Sequence, residues 1–123
     1  MTGATILIVS TDSFAGALLG ALLEVEGYQV AFHDDPHETP EAAVARARPH
    51  AIIVDVDHPD AFSKPVLERQ RATGIAIVAF SPTRHSDDVR ERATPHKLKW
   101  FALPADRETI CAALVEAGGP KSP

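Results

Sequence analysis

The sequence predicts a single α/β domain in which five parallel strands form one sheet with helices on both faces. Short β-branched and aliphatic runs alternate five times with segments whose apolar residues recur at helical spacing, a pattern typical of doubly wound sheets. The chain has 123 residues, enough for one hydrophobic core and too few for two. One apolar run, Ala51–Val54, leads directly into Asp55, and in parallel sheets such strand ends form the edge where ligands bind.

The first half of the chain supplies three strands and two helices. Apolar residues at helical spacing predict a helix over Phe14–Val25, with Gly27 as its left-handed end. Thr39 and Pro40 predict the start of a second helix, through a capping hydroxyl and a first-turn proline, and that helix stops before Pro49. The three predicted strands are Thr5–Ser10, Tyr28–Phe32 and Ala51–Val56.

The second half supplies two strands and three helices, and its weakest element is the fourth helix. Ser86 is the predicted cap of that helix, Val89 its only clear apolar anchor and Pro95 its end. A helix with so little to bury is expected to be mobile or to face a partner. The predicted elements are the helices Pro65–Ala72, Asp87–Ala93 and Asp106–Ala117 and the strands Ile75–Phe80 and Lys99–Leu103. We expect one domain over residues 1–118 and a short flexible tail over residues 119–123.

Charge and hydropathy exclude several classes of protein. The net charge is −5, but residues 1–60 hold ten acidic and two basic side chains, whereas residues 61–123 hold seven and ten. This dipolar distribution, with acids interrupting the basic stretch after Arg84, does not predict binding to nucleic acid. No apolar run approaches the ~18 residues of a membrane span, and Cys111 is the only cysteine. We therefore expect a cytoplasmic protein without a membrane partner, since neither a signal peptide nor a disulfide framework is visible.

Polar side chains follow three of the predicted strands and meet at the carboxyl edge of the sheet. They are Ser10-Thr11-Asp12 after the first strand, Asp55 and Asp57 after the third, and Ser81 after the fourth. With the Asp55-x-x-x-Pro59 spacing and the Leu103-Pro104 dipeptide, they make residues 4–117 resemble the receiver domain of bacterial response regulators, the CheY-like superfamily. The resemblance implies a flavodoxin-like sheet with strand order 2-1-3-4-5. It also implies a non-enzymatic role in two-component (phosphorelay) signal transduction, with a histidine kinase or another signalling protein as partner.

The resemblance assigns roles to individual positions. Asp55 matches the aspartate that accepts a phosphoryl group, a chemistry that needs an ionised, exposed carboxylate. Ser81 matches the hydroxyl after the fourth strand, and Trp100 matches the switch aromatic of the fifth. The other positions of the expected binding site are Thr11, Asp12, Asp57 and Leu103.

Two features depart from the receiver pattern. Receivers place two acidic residues directly after the first strand to hold Mg²⁺, whereas this chain has the hydroxyls of Ser10 and Thr11 there. The lysine that receivers carry before the strand-five proline is Leu103. Because neutral hydroxyls bind Mg²⁺ weakly, we expect a weak or absent metal site, formed by Asp12, Asp55 and Asp57. The sequence thus predicts an atypical receiver with impaired Mg²⁺-dependent phosphorylation, no resident cofactor and a function based on protein–protein interaction.

Other interpretations stay open. The chain is a working receiver if Asp55 accepts phosphate despite these departures, and an FMN-binding protein if the hydroxyl-rich loop from Ser10 to Ser13 holds a flavin phosphate. If the domain never meets phosphate, we expect a partner or a homodimer to use the face formed by helix 4, strand 5 and helix 5. The run from His33 to His37 carries donor atoms for a transition metal, although a solvated turn is the simpler interpretation. Trp100 fits plain packing as well as switching.

Overall fold

Five parallel strands form a single sheet in the computed structural model, which describes residues 3–33 and 35–121 apart from the side chains of residues 69–71. The strands are β1 (Thr5–Val9), β2 (Gln29–Phe32), β3 (Ala51–Asp55), β4 (Ala76–Ser81) and β5 (Lys99–Ala102). Their order is β2-β1-β3-β4-β5, which confirms the predicted flavodoxin-like topology. β3 lies at the centre, where its Asp55 is in register with Phe80 of β4.

Five helices cover the two faces of the sheet, as the alternating pattern predicted. They are α1 (Ser13–Val25), α2 (Pro40–Ala47), α3 (Lys64–Thr73), α4 (Ser86–Ala93) and α5 (Arg107–Glu116). The predicted cap of α2 is confirmed, since the Thr39 hydroxyl accepts a hydrogen bond from the backbone N–H of Ala42. None of the described helices is long and apolar enough to span a membrane.

The sheet separates two hydrophobic cores. On one face, α1 and α5 bury Leu19, Leu23, Ile110 and Leu114 against the sheet, together with Tyr28 just before β2. On the other face, α2, α3 and α4 contribute Val44, Val66 and Val89. Every residue of β3 and β4 is buried, as expected for central strands of a parallel sheet covered on both sides. The polar carboxyl ends of these two strands therefore enter the site directly from the core.

The fourth helix ends at Ala93 as predicted, but its cap and the segment that follows it differ from the prediction. His85, rather than Ser86, is its N-cap, because the His85 side chain accepts a hydrogen bond from the N–H of Asp87. Pro95 does not end the helical path, since a short 3₁₀ helix continues over Thr94–His96. Proline is tolerated there because the first turn of a helix leaves its N–H groups without partners. Ala93 is fully buried beside Val89, so α4 has two apolar anchors.

The chain after α5 lies against the domain for at least two residues. The N–H of Gly119 donates to the carbonyl of Leu114 at 2.8 Å, and the Tyr28 hydroxyl donates to the carbonyl of Pro120 at 2.8 Å. Burial raises the pKa of Tyr28 to about 12. The domain boundary at residue 118 and the flexible tail stay predictions, and residues 122–123 lie outside the described part of the chain.

Candidate functional site

The carboxylate of Asp55, at the end of β3, is fully buried. Its Oδ2 accepts two hydrogen bonds from Thr11, one from the backbone N–H at 3.1 Å and one from the hydroxyl at 2.5 Å. Its Oδ1 accepts a third from the N–H of Asp57 at 2.9 Å. A buried carboxylate needs such donors, because it has lost its hydration. The structure therefore places Asp55 at the predicted edge but holds it under the loop after β1, where the receiver resemblance implied an exposed group.

The two hydroxyls that replace the acidic pair after β1 are both engaged within the protein. Thr11 bonds to Asp55 as described. The Ser10 hydroxyl donates to the carbonyl of Asp12 at 2.9 Å and accepts from the N–H of Asp12 at 3.1 Å. Ser10 thus stabilises the turn that leads into α1, and Thr11 joins that turn to β3.

Asp12 is the N-cap of α1, and no hydrogen bond among the described residues joins its carboxylate to that of Asp55. Its Oδ1 accepts from the N–H groups of Phe14 at 3.0 Å and Ala15 at 3.1 Å. Such a cap satisfies free helix donors and places negative charge at the positive end of the helix. Sequence reasoning assigned Asp12 to a metal site and missed this role, although an aspartate directly before an apolar helical pattern is a recognised capping signal.

The carboxylates of Asp12, Asp55 and Asp57 are thus committed to three different partners. Within residues 3–33 and 35–121, no group of three or more His, Cys, Asp and Glu side chains is placed to hold a metal ion. Mg²⁺ requires several oxygen ligands in near-octahedral geometry. The residues present do not fit the magnesium site that the receiver resemblance implies.

Ser81, at the end of β4, shapes the next loop. Its buried hydroxyl oxygen accepts hydrogen bonds from the N–H groups of Thr83 at 3.2 Å and Arg84 at 2.9 Å. A serine that accepts from backbone donors two and three residues ahead stabilises a tight turn. The position matches the sequence prediction, and the turn that Ser81 holds directs Arg84 toward the loop after β3.

Arg84 forms an ion-pair network that the sequence did not reveal. Its Nε and Nη2 donate to both carboxylate oxygens of Asp57 at 2.7–2.9 Å, and its Nη1 donates to Asp88 at 2.5 Å. Asp88 also accepts from Arg92 of α4 at 3.4 Å. Hydrogen bonds from Arg84 hold the pKa values of Asp57 and Asp88 below their usual 3.8. The network links the loop after β3 to α4.

Part of this network had a signal in the sequence. Arg84 and Asp88 stand four residues apart, a spacing that favours contact on a helix or at its start. The pairing of Arg84 with Asp57 had no signal in the sequence, because it joins two loops whose residues are 27 positions apart. Although Arg84 begins a basic stretch of the sequence, its side chain is only 32% exposed.

Leu103 and Trp100 contact opposite cores. Leu103 is partly buried against the core that α1 and α5 cover, and its N–H donates to the carbonyl of Ser81 at 2.9 Å. The Leu103-Pro104 peptide bond is cis. Trp100 is half-buried against the core that α2, α3 and α4 cover. The structure therefore brings Leu103 to the site, where its side chain supplies no positive charge. Trp100 packs in the core that α4 covers, and its role as a switch stays a prediction.

The histidine-rich run after β2 forms a hydrogen-bonded turn. The N–H of His37 donates to Asp35 at 2.8 Å, and His33 Nε2 is hydrogen-bonded to the carbonyl of Glu38. Asp34, which belonged to the same metal hypothesis, lies outside the described residues. These contacts agree with the solvated-turn interpretation of the run.

Comparison with known proteins rests on structure alone, since no family model and no curated protein matches the chain. The chemotaxis protein CheY4 of Vibrio cholerae is 22% identical with a TM-score of 0.70, over 94% of this chain and 98% of that one. The receiver domain of a sensor histidine kinase from Pseudomonas aeruginosa, with magnesium in its active-site cleft, is 23% identical with a TM-score of 0.71, over 95% and 99%.

A third similar structure is the signal receiver domain of a modulated diguanylate cyclase from Desulfovibrio desulfuricans. It is 20% identical with a TM-score of 0.71, over 94% of this chain and 93% of that one. The likeness extends over more than nine-tenths of this chain and of each of these receiver domains. This chain therefore has the fold of a CheY-like response regulator receiver domain.

The hydroxyl of Thr11 should contribute to stability through the buried Asp55 carboxylate. Replacing Thr11 with valine removes one donor to a charged acceptor, so we expect a loss of about 1–3 kcal/mol in the free energy of unfolding. Thr11→Ser keeps the hydroxyl and should stay close to wild type. Urea denaturation of the three proteins measures the difference, and equal stability of the valine and serine variants would contradict the role given to this hydrogen bond.

The Arg84 network predicts a change in carboxyl titration. Removing the guanidinium with Arg84→Gln should raise the pKa of Asp57 back toward 3.8, as measured by NMR titration of the carboxyl carbons. Because the folded-state pKa is lowered, the stabilisation that this pair provides is present above pH 3.8 and is lost as the pH falls through the folded value. The variant should lose that acid-side dependence.

Arg90→Gln is the matched control, since Arg90 lies on α4 and its side chain pairs with Asp87 at 3.5 Å. It should leave the titration of Asp57 unchanged. An Asp57 midpoint that is the same in wild type and in Arg84→Gln would show that the two side chains do not interact in solution.

Proposed function

We propose that the protein is an atypical receiver domain that works in two-component signal transduction through protein contacts, with impaired Mg²⁺-dependent phosphorylation at Asp55. The observation that carries this proposal is the buried Asp55 carboxylate, held by three hydrogen bonds from Thr11 and Asp57. A nucleophile must reach the phosphorus atom with a free lone pair in line with the leaving group. Here the loop after β1 would have to move before Asp55 could react.

The charges around Asp55 support the same proposal. Phosphoryl transfer depends on cations that neutralise the developing charge, and in receivers these are Mg²⁺ and the lysine that Leu103 replaces. The nearby guanidinium of Arg84 is already paired with Asp57 and Asp88. An incoming phosphoryl group would therefore be repelled by the nearby carboxylates, because the guanidinium of Arg84 is already paired with them.

A working receiver at Asp55 is the main alternative, and a phosphodonor distinguishes the two. With acetyl phosphate and Mg²⁺, we expect no phosphoryl addition in the intact mass of the wild-type protein. We also expect no saturating change in the fluorescence of Trp100, the only tryptophan, up to about 1 mM Mg²⁺, the weak end of protein cation sites.

The double variant Ser10→Asp/Thr11→Asp is the positive control, since it restores acids at the two positions and removes the Thr11 hydroxyl from Asp55. It should gain Mg²⁺ binding. Ready phosphorylation of the wild-type protein, abolished by Asp55→Asn, would overturn the proposal and establish the working receiver.

The flavin alternative has less support. A flavin phosphate at the start of α1 would need free N–H groups there, but the carboxylate of Asp12 already accepts from Phe14 and Ala15. A purified protein with a flavin absorbance spectrum would reinstate this alternative.

We further propose that the face formed by α4, β5 and α5 binds an acidic surface of a partner. The partner is a histidine kinase, another signalling protein or a second copy of the chain. The Arg84 network leads from the loop after β3 into α4. On this face Arg90, Lys97 and Lys99 are exposed. Attraction of such a surface to an acidic one weakens as salt shortens the Debye length to ~8–10 Å.

Charge reversal tests this face. Lys97→Glu/Lys99→Glu should abolish a concentration-dependent increase in mass seen by light scattering at low salt, because the exposed lysines supply the attraction. Folding should be unaffected, since exposed charges contribute little to stability. Lys64→Glu on α3, whose side chain is 84% exposed, is the matched control. Loss of association in the control alone would place the interface near α3 instead.

A further inference from the structure

A groove of about 620 Å³ opens at the carboxyl edge of the sheet, between the loops that follow β1, β2 and β3. Asp55 is not among its lining residues, although Thr11, which is hydrogen-bonded to Asp55, is one of them. Its volume lies within the range of roughly 300–1,000 Å³ that small-molecule sites occupy. Its apolar walls are Ile8, Gly16, Ala17, Phe32, Pro36 and Pro59.

Two histidine rings lie in the groove, beside the hydroxyl side chains of Ser10, Thr11 and Ser13. His33 and His58 both line it, and their ring centroids are 5.5 Å apart in an edge-to-face arrangement. A single ligand edge can therefore reach both rings. The pKa of His58 is lowered below 6.5, chiefly by burial and also by the neighbouring His33, so its ring is neutral at physiological pH.

The backbone fixes which nitrogen of each ring carries the proton. His33 Nε2 is hydrogen-bonded to the carbonyl of Glu38, which can only accept, so this nitrogen must be the donor. His58 Nδ1 accepts from the N–H of Asp60 at 3.1 Å, so the proton of the neutral ring is on Nε2. In the tautomer that carries its proton on Nε2, His33 offers Nδ1 as an acceptor, and His58 offers Nε2–H as a donor. No hydrogen bond from the described residues reaches either atom.

The same assignment argues against a metal ion at the two rings. To bind a metal through Nε2, His58 would have to carry its proton on Nδ1, opposite the N–H of Asp60. Two donors would then face each other. The pair is arranged for hydrogen bonding rather than for coordination.

The charges around the groove argue against a phosphate. Among the described residues, neither lysine nor arginine lines it, and the charged side chain found there is the acid Asp35. Although the groove adjoins the start of α1, the N–H groups of Phe14 and Ala15 are already bonded to Asp12. A ligand should therefore be uncharged where it meets the protein.

We propose that the groove binds an uncharged planar heterocycle whose edge carries a lactam, an N–H beside a carbonyl, with the N–H donating to His33 Nδ1 and the carbonyl accepting from His58 Nε2–H. Proline and phenylalanine side chains provide apolar surface for the faces of such a ring. Thr11 lines the groove and is also hydrogen-bonded to Asp55. A ligand in the groove would therefore contact the loop that covers the aspartate. The site does not depend on whether Asp55 can be phosphorylated.

Titration of the ¹⁵N-labelled protein with uracil and with hypoxanthine tests the proposal by NMR. We expect saturable shifts of backbone amide signals centred on Thr11, Ala17 and His58. N,N′-dimethyluracil, which keeps the ring and lacks the N–H, should bind about tenfold more weakly because one hydrogen bond is lost. Uridine monophosphate should also bind more weakly than uracil, since its phosphate has no cation to meet.

Two variants test the same site from the protein side. His58→Phe keeps an aromatic ring without the donor, and Ala17→Trp fills the groove from an exposed position on α1; both should lose uracil binding by about tenfold or more. Ala21→Trp is the matched control, since Ala21 is exposed on the same helix and does not line the groove. It should bind as wild type does.

Several outcomes would overturn the proposal. One is that neither uracil nor hypoxanthine shifts the signals of the folded wild-type protein. Another is that the dimethylated ring or the phosphorylated nucleoside binds as tightly as uracil. The third is that Ala17→Trp and Ala21→Trp bind equally well. Because the dimethyluracil comparison uses the unaltered protein, the hydrogen-bonding claim can fail even if His58→Phe does not fold.

Discussion

A carboxylate at the end of a central strand loses its hydration when the surrounding loops cover it. It is stable in the buried position only where hydrogen-bond donors of the protein replace the lost water. For Asp55 the donors are Thr11, from the loop after β1, and the N–H of Asp57. Because β1 and β3 are neighbours in the sheet, the hydroxyl has only a short distance to cover. The attachment joins the loop after β1, which also carries the Asp12 cap of α1 and part of the groove wall, to the central strand.

The second constraint is the pairing of Arg84 with Asp57. The guanidinium binds both oxygens of that carboxylate, a geometry that fixes orientation as well as distance. The loop after β3 is thereby attached to β1 on one side, through Asp55, and to α4 on the other.

The sequence was sufficient for the strands and helices because their periodicities are local properties, and their alternation indicates a parallel sheet. The order of the strands came from the resemblance to receiver domains. It was also sufficient to place Asp55, Ser81 and Leu103 at one edge. It did not predict the burial of Asp55, the pairing of Arg84 with Asp57, or the role of His85 as the cap of α4. Each depends on the direction of a side chain in a loop, and apolar periodicity carries no information about loops. Asp12 shows the converse, because the sequence carried a signal for its role as the cap of α1 and the receiver resemblance drew attention away from it.

The single tyrosine and the single tryptophan of the chain lie in different hydrophobic cores. Tyr28, the only tyrosine, is buried with α1 and α5, whereas Trp100 packs on the other side of the sheet with α2, α3 and α4. Near-ultraviolet signals from the two residues therefore report separately on the two layers. Coincident loss of both during denaturation identifies a single cooperative unit, and separate transitions identify a domain whose faces melt independently.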